Sequence, residues 1–144
     1  MSRRSRAREV VLQILYQDDL NPDQDAAVTQ RFLRDRLHHD VELIAFASEL
    51  VEGVRGNRSR LDLLLAARAA NWSLARMAVT DRNVLRLGAY EIMFTDAPRR
   101  VAINEAVMLA RRFGTRQSGA FVNGILDRFR QEGERVNGDG PPGD

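Results

Sequence analysis

The chain of 144 residues carries 22 basic and 20 acidic side chains, for a formal net charge of +2, and it has no cysteine. This length fits one compact domain or two small bundles, and the missing cysteine excludes disulfides, thiolate catalysis and cysteine-ligated zinc. No apolar run approaches the roughly 18 residues that span a bilayer, and the arginine-rich start is unlike a secretory signal, so we expect a cytoplasmic protein.

Apolar residues recur at helical spacing along most of the chain, and the alternation typical of a half-buried strand is nearly absent. This pattern predicts an all-α protein of about seven helices. In chain order, the helical segments are predicted around residues 7–15, 26–37, 41–54, 61–70, 80–96, 102–113 and 121–129.

Glycine and capping residues suggest where several of these helices begin and end. We expect Gly53 and Gly56 to end the third helix, because glycine favours helix C-termini. Thr80 or Asp81 is expected to cap the start of the fifth helix. Gly114 is expected to end the sixth.

The segment 71–79 interrupts the helical pattern and divides the chain into two halves. The predicted organisation is an N-terminal helical bundle with an arginine-rich arm at residues 1–75 and a C-terminal bundle at 76–131. The segment 132–144 is rich in glycine and proline and has little to bury, so it is predicted to be disordered.

No group in the sequence stands out as catalytic, and we predict no enzymatic activity, cofactor or metal site. The only histidines, His38 and His39, are neighbours, and adjacent helical positions point about 100° apart, so they cannot chelate one metal from one face. Residues 114–119 have the glycine spacing of a phosphate loop. Ala120 and Phe121, however, stand where that motif requires lysine and serine or threonine.

The first eight residues contain four arginines and no acidic residue. An arginine-rich arm that leads into a helix N-terminus suits phosphate binding, because guanidinium groups and free backbone N–H groups both attract anions. Composition alone fits a solvated basic tail equally well.

A second basic cluster flanks a predicted loop at residues 115–119. Its members are Arg111, Arg112 and Arg116. Loops that contain serine, glutamine and glycine suit contacts to unpaired bases, and Phe121 is a candidate to stack on one. The competing interpretation of Phe121 as a core residue has more support, because its spacing matches that of Ile125 and Phe129.

Three stretches of sequence carry a resemblance when they are taken together. The first is RRSRAR at 3–8 with LQILYQ at 12–17, and the second is NWSLARMAVTDRNVLRL at 71–87 with YE at 90–91. The third and most specific is VAINEAV at 101–107 with FG at 113–114 and FVNG at 121–124. Over roughly residues 3 to 130, the chain resembles the NusB family of transcription antitermination proteins.

The resemblance implies an all-helical protein built as two antiparallel bundles. NusB-like proteins bind the boxA element of nascent ribosomal RNA, as single-stranded RNA, together with NusE, a small-subunit ribosomal protein. The complex joins other Nus factors on RNA polymerase and suppresses premature termination. The resemblance implies no catalysis and no cofactor, and it allows either a monomer or a homodimer.

The resemblance also implies roles for individual residues. The first arginines match the basic, RNA-contacting helix start of the family, and the loop before the last helix matches a second RNA-facing patch. The predicted RNA-binding residues are Arg3, Arg4, Arg6, Arg8, Arg116, Gln117, Ser118 and Phe121. Tyr16 and Asp81 match positions on the side that faces NusE.

At two positions the sequence departs from the family pattern. Ala120 stands where a lysine is frequent, so one phosphate contact is missing unless Arg116 replaces it. Gly88 stands where alanine is common, and a glycine inside a helix costs up to about 1 kcal/mol unless a neighbouring helix needs the close approach.

Two other classes of protein compete with this interpretation. One is a helical protein-interaction module without RNA specificity, in which the basic arm is passive. The other is a fragment of a ribosomal RNA cytosine methyltransferase, to which NusB-like domains are fused. The second class requires a cofactor-binding domain and a catalytic cysteine, and this sequence has neither.

Overall fold

The computed structural model describes residues 2–23, 25–70 and 73–130, which fold into seven α-helices and one 3₁₀ turn without a strand. The helices are α1 (Arg3–Leu20), α2 (Ala26–Arg36), α3 (Val41–Gly56), α4 (Arg58–Arg68), α5 (Val79–Phe94), α6 (Arg99–Phe113) and α7 (Ser118–Leu126), and the turn is Leu74–Arg76. The prediction of an all-helical protein is confirmed. The predicted tail at 132–144 lies outside the described residues.

The arginine-rich start of the chain is helical from Arg3 onward. The Oγ of Ser2 accepts a hydrogen bond from the N–H of Ser5 at 3.0 Å and so caps the helix. The predicted arm therefore forms the first turns of α1, and its arginines have fixed positions on a helix surface.

The starts of α5 and α7 also differ from the prediction. α5 begins at Val79, so Thr80 and Asp81 lie in its first turn instead of at the cap. A carboxylate is favourable there because the helix dipole places partial positive charge at that end. α7 begins at Ser118, inside the predicted loop at 115–119.

α1 is the central helix of the fold. It packs against α2, α3 and α5, and its Ala7, Val10, Val11 and Leu15 are at most 2 % exposed. Buried apolar side chains from all seven helices form one cluster. The core is therefore continuous across the boundary predicted between residues 75 and 76, and the organisation into two bundles stays a prediction.

Charged side chains near the end of α1 are buried in ion pairs with neighbouring helices. Asp18 accepts hydrogen bonds from Arg55 of α3 at 2.7 and 2.9 Å, and Asp19 lies 3.1 Å from Arg86 of α5. Burial alone would raise the pKa of Asp19, but a hydrogen bond from Asn83 and the charges of nearby arginines outweigh it and lower the pKa. Because separating a buried pair is costly, these contacts fix α1 against α3 and α5.

Gly53 of α3 lies directly against Tyr90 of α5. The prediction that glycines end the third helix is confirmed for Gly56, the last residue of α3, but not for Gly53, which lies inside the helix. A Cβ on Gly53 would lie 2.0 Å from the Cζ of Tyr90, so any side chain at this position would force Tyr90 to move. Gly88 has the same role on α5, where a Cβ would lie 2.6 Å from the Cδ1 of Leu126. This close approach is the compensation expected for a glycine inside a helix.

The two glycines of α3 provide a matched test of this packing. Gly53→Ala should lower the free energy of unfolding by about 1–3 kcal/mol, because the added methyl group displaces Tyr90. Gly56→Ala should raise it by up to about 1 kcal/mol, because no atom lies within 4 Å of the new Cβ. Urea unfolding followed by circular dichroism measures both. Equal effects of the two substitutions would contradict the proposed helix contact.

Candidate nucleic-acid interface

Arg3 and Arg4 are exposed at the start of α1, and each is held by one contact. Arg3 pairs with Asp40, and this hydrogen bond raises the pKa of Arg3 and lowers that of Asp40. The guanidinium of Arg4 lies 4.4 Å from the centre of the Phe46 ring, as in a cation–π contact. Both charges therefore remain at the surface in defined positions.

Arg8, one turn further along α1, is buried and only 4 % exposed. Its Nε and Nη2 donate to the two carboxylate oxygens of Glu91 at 2.8 and 2.7 Å, and Glu105 lies 3.6 Å away. Burial alone would lower the pKa of Arg8, but the bonds to Glu91 outweigh it and raise the pKa. The predicted contact of Arg8 with RNA therefore needs correction, because its guanidinium is buried against two carboxylates.

Glu9 joins the arginines of α1 to those of α6. Its side chain is 5 % exposed, and it lies 3.3 Å from the Nη1 of Arg6 and 3.0 Å from the Nη1 of Arg112. Nearby, the Oγ of Ser5 donates to Glu105 of α6 at 2.8 Å. The two basic clusters found in the sequence therefore meet on one surface.

The loop between α6 and α7 presents Arg116 and Gln117 to solvent but buries Ser118. The Oγ of Ser118 accepts a hydrogen bond from the N–H of Thr115 at 2.8 Å and so closes the turn. The predicted contact of Ser118 with RNA therefore also needs correction, since the residue is 1 % exposed and its hydroxyl is already bonded. Phe121 is partly buried and packs against the core.

Arg111, an exposed arginine of α6, lies against the first turn of α7. A Cβ on Gly119 would be 3.0 Å from the Cγ of Arg111, so the absence of a side chain at 119 leaves room for this arginine. The side chain of Arg111 thus lies against Gly119, the residue that precedes Ala120.

Two grooves run along α1, and Glu9 lines both of them. The α1–α6 groove, with a volume of about 320 Å³, is lined by Ser5, Glu9, Glu105, Met108, Leu109, Arg111 and Arg112. The α1–α2 groove, with a volume of about 610 Å³, is lined by Glu9, Leu12, Gln13, Ile14, Tyr16, Gln17, Val28, Thr29, Phe32, Arg36, Thr80 and Phe113.

The residues predicted to face a protein partner lie near one end of the α1–α2 groove. Tyr16 is 38 % exposed, and it shares the groove lining with Thr80. The adjacent Asp81 has a buried Oδ1 that accepts no hydrogen bond from the described residues. A buried oxygen without a donor is unfavourable.

The α1–α2 groove contains aromatic and basic residues that the sequence did not assign to a site. The Cζ of Arg36 lies 4.6 Å from the centre of the Phe32 ring, and that of Arg112 lies 5.4 Å from the centre of the Phe113 ring. The spacing of Phe32 and Arg36 predicts that they share a helix face. The sequence could not show that this face borders α1.

Neither a metal site nor a membrane-spanning helix is found among the residues that the structure describes. No three or more histidine, cysteine, aspartate or glutamate side chains are grouped there to hold a metal ion. No helix in the same residues is long and apolar enough to cross a bilayer. His38 and His39 are exposed in the turn between α2 and α3, with φ angles of 54° and 59°.

The fold and the surface define a small helical protein whose exposed arginines form a face for a polyanion. Residues 5–131 match the NusB family. The transcription antitermination protein NusB of Anaeromyxobacter dehalogenans (strain 2CP-1 / ATCC BAA-258) is 45 % identical over 127 residues, which cover 88 % of this chain and 89 % of that protein. The chain belongs to the NusB family.

Further relatives and solved structures agree with this assignment. The transcription antitermination protein NusB of Myxococcus xanthus (strain DK1622) is 43 % identical over 132 residues, covering 89 % of this chain and 94 % of that protein. The structure of T. maritima NusB is 40 % identical with a TM-score of 0.77, and the match covers 89 % of each chain. A chain from the crystal structure of antitermination factors NusB and NusE in complex with dsRNA has a TM-score of 0.78 at 23 % identity, over 88 % of this chain and 95 % of that one, and shares the fold.

Arg8 and Arg4 provide a test that separates a structural arginine from a surface one. Arg8→Gln should lower the free energy of unfolding by about 3–5 kcal/mol, because it leaves buried carboxylates without their cation. Arg4→Gln, one turn away on the same helix, should cost no more than about 1 kcal/mol, the worth of an exposed cation–π contact. Urea denaturation measures both values. Comparable losses would show that burial does not distinguish the two arginines.

Proposed function

We propose that this protein is an RNA-binding transcription antitermination factor that acts by binding, without catalysis or a cofactor. The observation that carries the proposal is the junction at Glu9, where arginines of α1 and α6 share one carboxylate. Relatives at 45 % identity are transcription antitermination proteins. In this role the chain binds the boxA element of nascent ribosomal RNA transcripts and helps RNA polymerase resist premature termination.

Single-stranded RNA would lie across the α1–α6 groove and the loop that follows α6. Arg3, Arg4 and Arg6 would bind phosphates, and Arg116 and Gln117 would contact the strand at the loop. Because fixed neighbours already hold the α1 arginines, little side-chain freedom remains to be lost on binding.

Arg8 and Ser118, for which the sequence predicts RNA contacts, would instead support this surface from beneath. Arg8 holds α1 against Glu91 of α5, and Ser118 closes the turn that presents Arg116. Residues beneath a binding surface fix the positions of those that touch the ligand. Substitution of Arg8 or Ser118 would therefore weaken RNA binding only indirectly, through the fold.

The proposed protein partner is NusE, which occurs with NusB and dsRNA in a solved complex of this fold. Tyr16 and Asp81 are the residues proposed to meet it. The carboxylate of Asp81, whose Oδ1 has no hydrogen-bond donor among the described residues, would turn toward NusE and accept a hydrogen bond from a donor there. Through NusE and the RNA, the protein would join other Nus factors and RNA polymerase in the cytoplasm.

The role of the α1 arginines is tested by the salt dependence of RNA binding. The double variant Arg4→Gln with Arg6→Gln should weaken binding and make the slope of log K against log salt shallower by about 1.4, at about 0.7 per phosphate contact. Arg31→Gln with Arg34→Gln removes the same charge from exposed positions of α2 outside both grooves. A common salt slope for the two double variants would contradict phosphate binding by Arg4 and Arg6.

The choice of RNA and partner is tested by fluorescence anisotropy with a boxA RNA and a scrambled RNA, each with and without purified NusE. Binding should be tighter to boxA and should strengthen further with NusE. Asp81→Ala should reduce the gain from NusE by about tenfold, because a buried donor on NusE loses its acceptor, while binding of RNA alone stays unchanged. Equal binding to both RNAs, unaffected by NusE, would favour a helical interaction module without RNA specificity.

A further inference from the structure

The α1–α6 groove carries an acidic side chain to which the proposed function gives no role. Glu105 of α6 lines this groove, and 18 % of its side chain is exposed. We propose that the groove is a subsite for one guanine base of the RNA, and that the carboxylate of Glu105 determines the choice of base there. The inference rests on the proposed function, because it concerns the same RNA surface.

An acidic side chain is unfavourable on a surface that binds phosphates, unless it meets another part of the nucleotide. The carboxylate of Glu9, which lines the same groove, is neutralised by Arg6 and Arg112. The Oε1 of Glu105 lies 3.6 Å from the Nη1 of Arg8, which offsets its charge from a distance longer than a hydrogen bond. The oxygens of Glu105 therefore suit the N–H donors on the edge of a base and not the backbone.

The carboxylate of Glu105 is held in place from α1. The Oγ of Ser5 donates to its Oε1 at 2.8 Å and to its Oε2 at 2.9 Å, and the Oγ of Ser2 lies 2.8 Å from that of Ser5. The two oxygens share one hydroxyl hydrogen, whereas an ionised carboxylate has about four lone-pair sites. The group therefore has a fixed position and retains the capacity to accept hydrogen bonds from a ligand.

The arrangement of donors on the bases favours guanine. Its Watson–Crick edge carries two adjacent donors, N1–H and the N2 amino group, which match the two oxygens of a carboxylate. Adenine, cytosine and uracil each offer a single donor group with acceptors beside it, and a carboxylate repels those acceptors. Such edges are available in unpaired RNA, where proteins bind them directly.

The rest of the groove provides contacts for the face of the base and for its phosphates. Glu105, Met108, Leu109 and Arg112 follow one another at spacings that place them on one face of α6. Met108 is 48 % exposed and provides apolar surface against which a base can pack. Arg111 and Arg112 line the groove further along α6 and provide positive charge for the backbone. The volume of about 320 Å³ is within the range of small-molecule sites.

The test measures binding of the full chain to a fluorescein-labelled oligouridine of about twelve nucleotides, in which one central base is guanine, adenine or hypoxanthine. The uniform flanks allow the strand to shift until the substituted base reaches the groove. The unsubstituted protein should bind the guanine strand at least about fivefold more tightly than the adenine strand, as expected for a contact with two hydrogen bonds. Hypoxanthine lacks the N2 amino group, so its strand should lose most of this advantage.

Glu105→Gln should shift the preference toward adenine, which a general loss of structure would not do. The glutamine amide offers one donor and one acceptor, which match the N6 amino group and a ring nitrogen of adenine. The ratio of guanine-strand to adenine-strand affinity should therefore fall at least about fivefold. Glu52→Gln is the matched control, because it makes the same change at an exposed position of α3 outside both grooves, and it should leave the ratio unchanged. Met108→Ala should weaken binding of both strands alike.

Equal binding of the guanine and adenine strands by the unsubstituted protein would overturn the guanine subsite and leave the proposed function standing. A ratio that Glu105→Gln leaves within about twofold of its original value would refute the role of Glu105. If circular dichroism shows that Glu105→Gln is unfolded, the comparison of guanine with hypoxanthine decides, and equal binding of those two strands contradicts the proposal. Absence of any RNA binding by the unsubstituted protein would refute the proposed function itself and the subsite with it.

Discussion

The bidentate ion pair between Arg8 and Glu91 is the interaction on which the functional surface depends. It joins α1 to α5 in the interior, and Glu105 of α6 adds a second negative charge beside it. Because the side chains of Arg8 and Glu91 are buried, α1 and α5 cannot shift relative to one another without separating the pair. The exposed arginines take their positions from these helices, so a buried pair sets the spacing of charges on the surface.

The helical periodicity was sufficient to predict the fold class and the order of the helices, because each helix buries one continuous apolar face. The periodicity was not sufficient to show that Arg8 is buried while Arg4 is exposed. The two arginines lie one turn apart on the same face, and both lie over the ring of Phe46. Only the carboxylates of Glu91 and Glu105, more than eighty positions away in the chain, decide which of them is buried.

The other differences between sequence and structure have related causes. Gly53 has the properties of a helix end, but a tyrosine from another helix determines its role. Ser118 has the properties of a loop residue that contacts a ligand, but it is used to close its own turn. The α1–α2 groove combines side chains from α1, α2, α5 and α6, and no local pattern could show that these meet.

The arrangement around Glu9 affects how an anion can bind there. One buried carboxylate is shared by two guanidinium groups, so the trio carries one surplus positive charge. When a phosphate binds either Arg6 or Arg112, the other arginine remains to neutralise the carboxylate of Glu9. Binding would then exchange one ionic partner for another, and the buried carboxylate of Glu9 would keep an arginine throughout. Release of the phosphate would reverse this exchange.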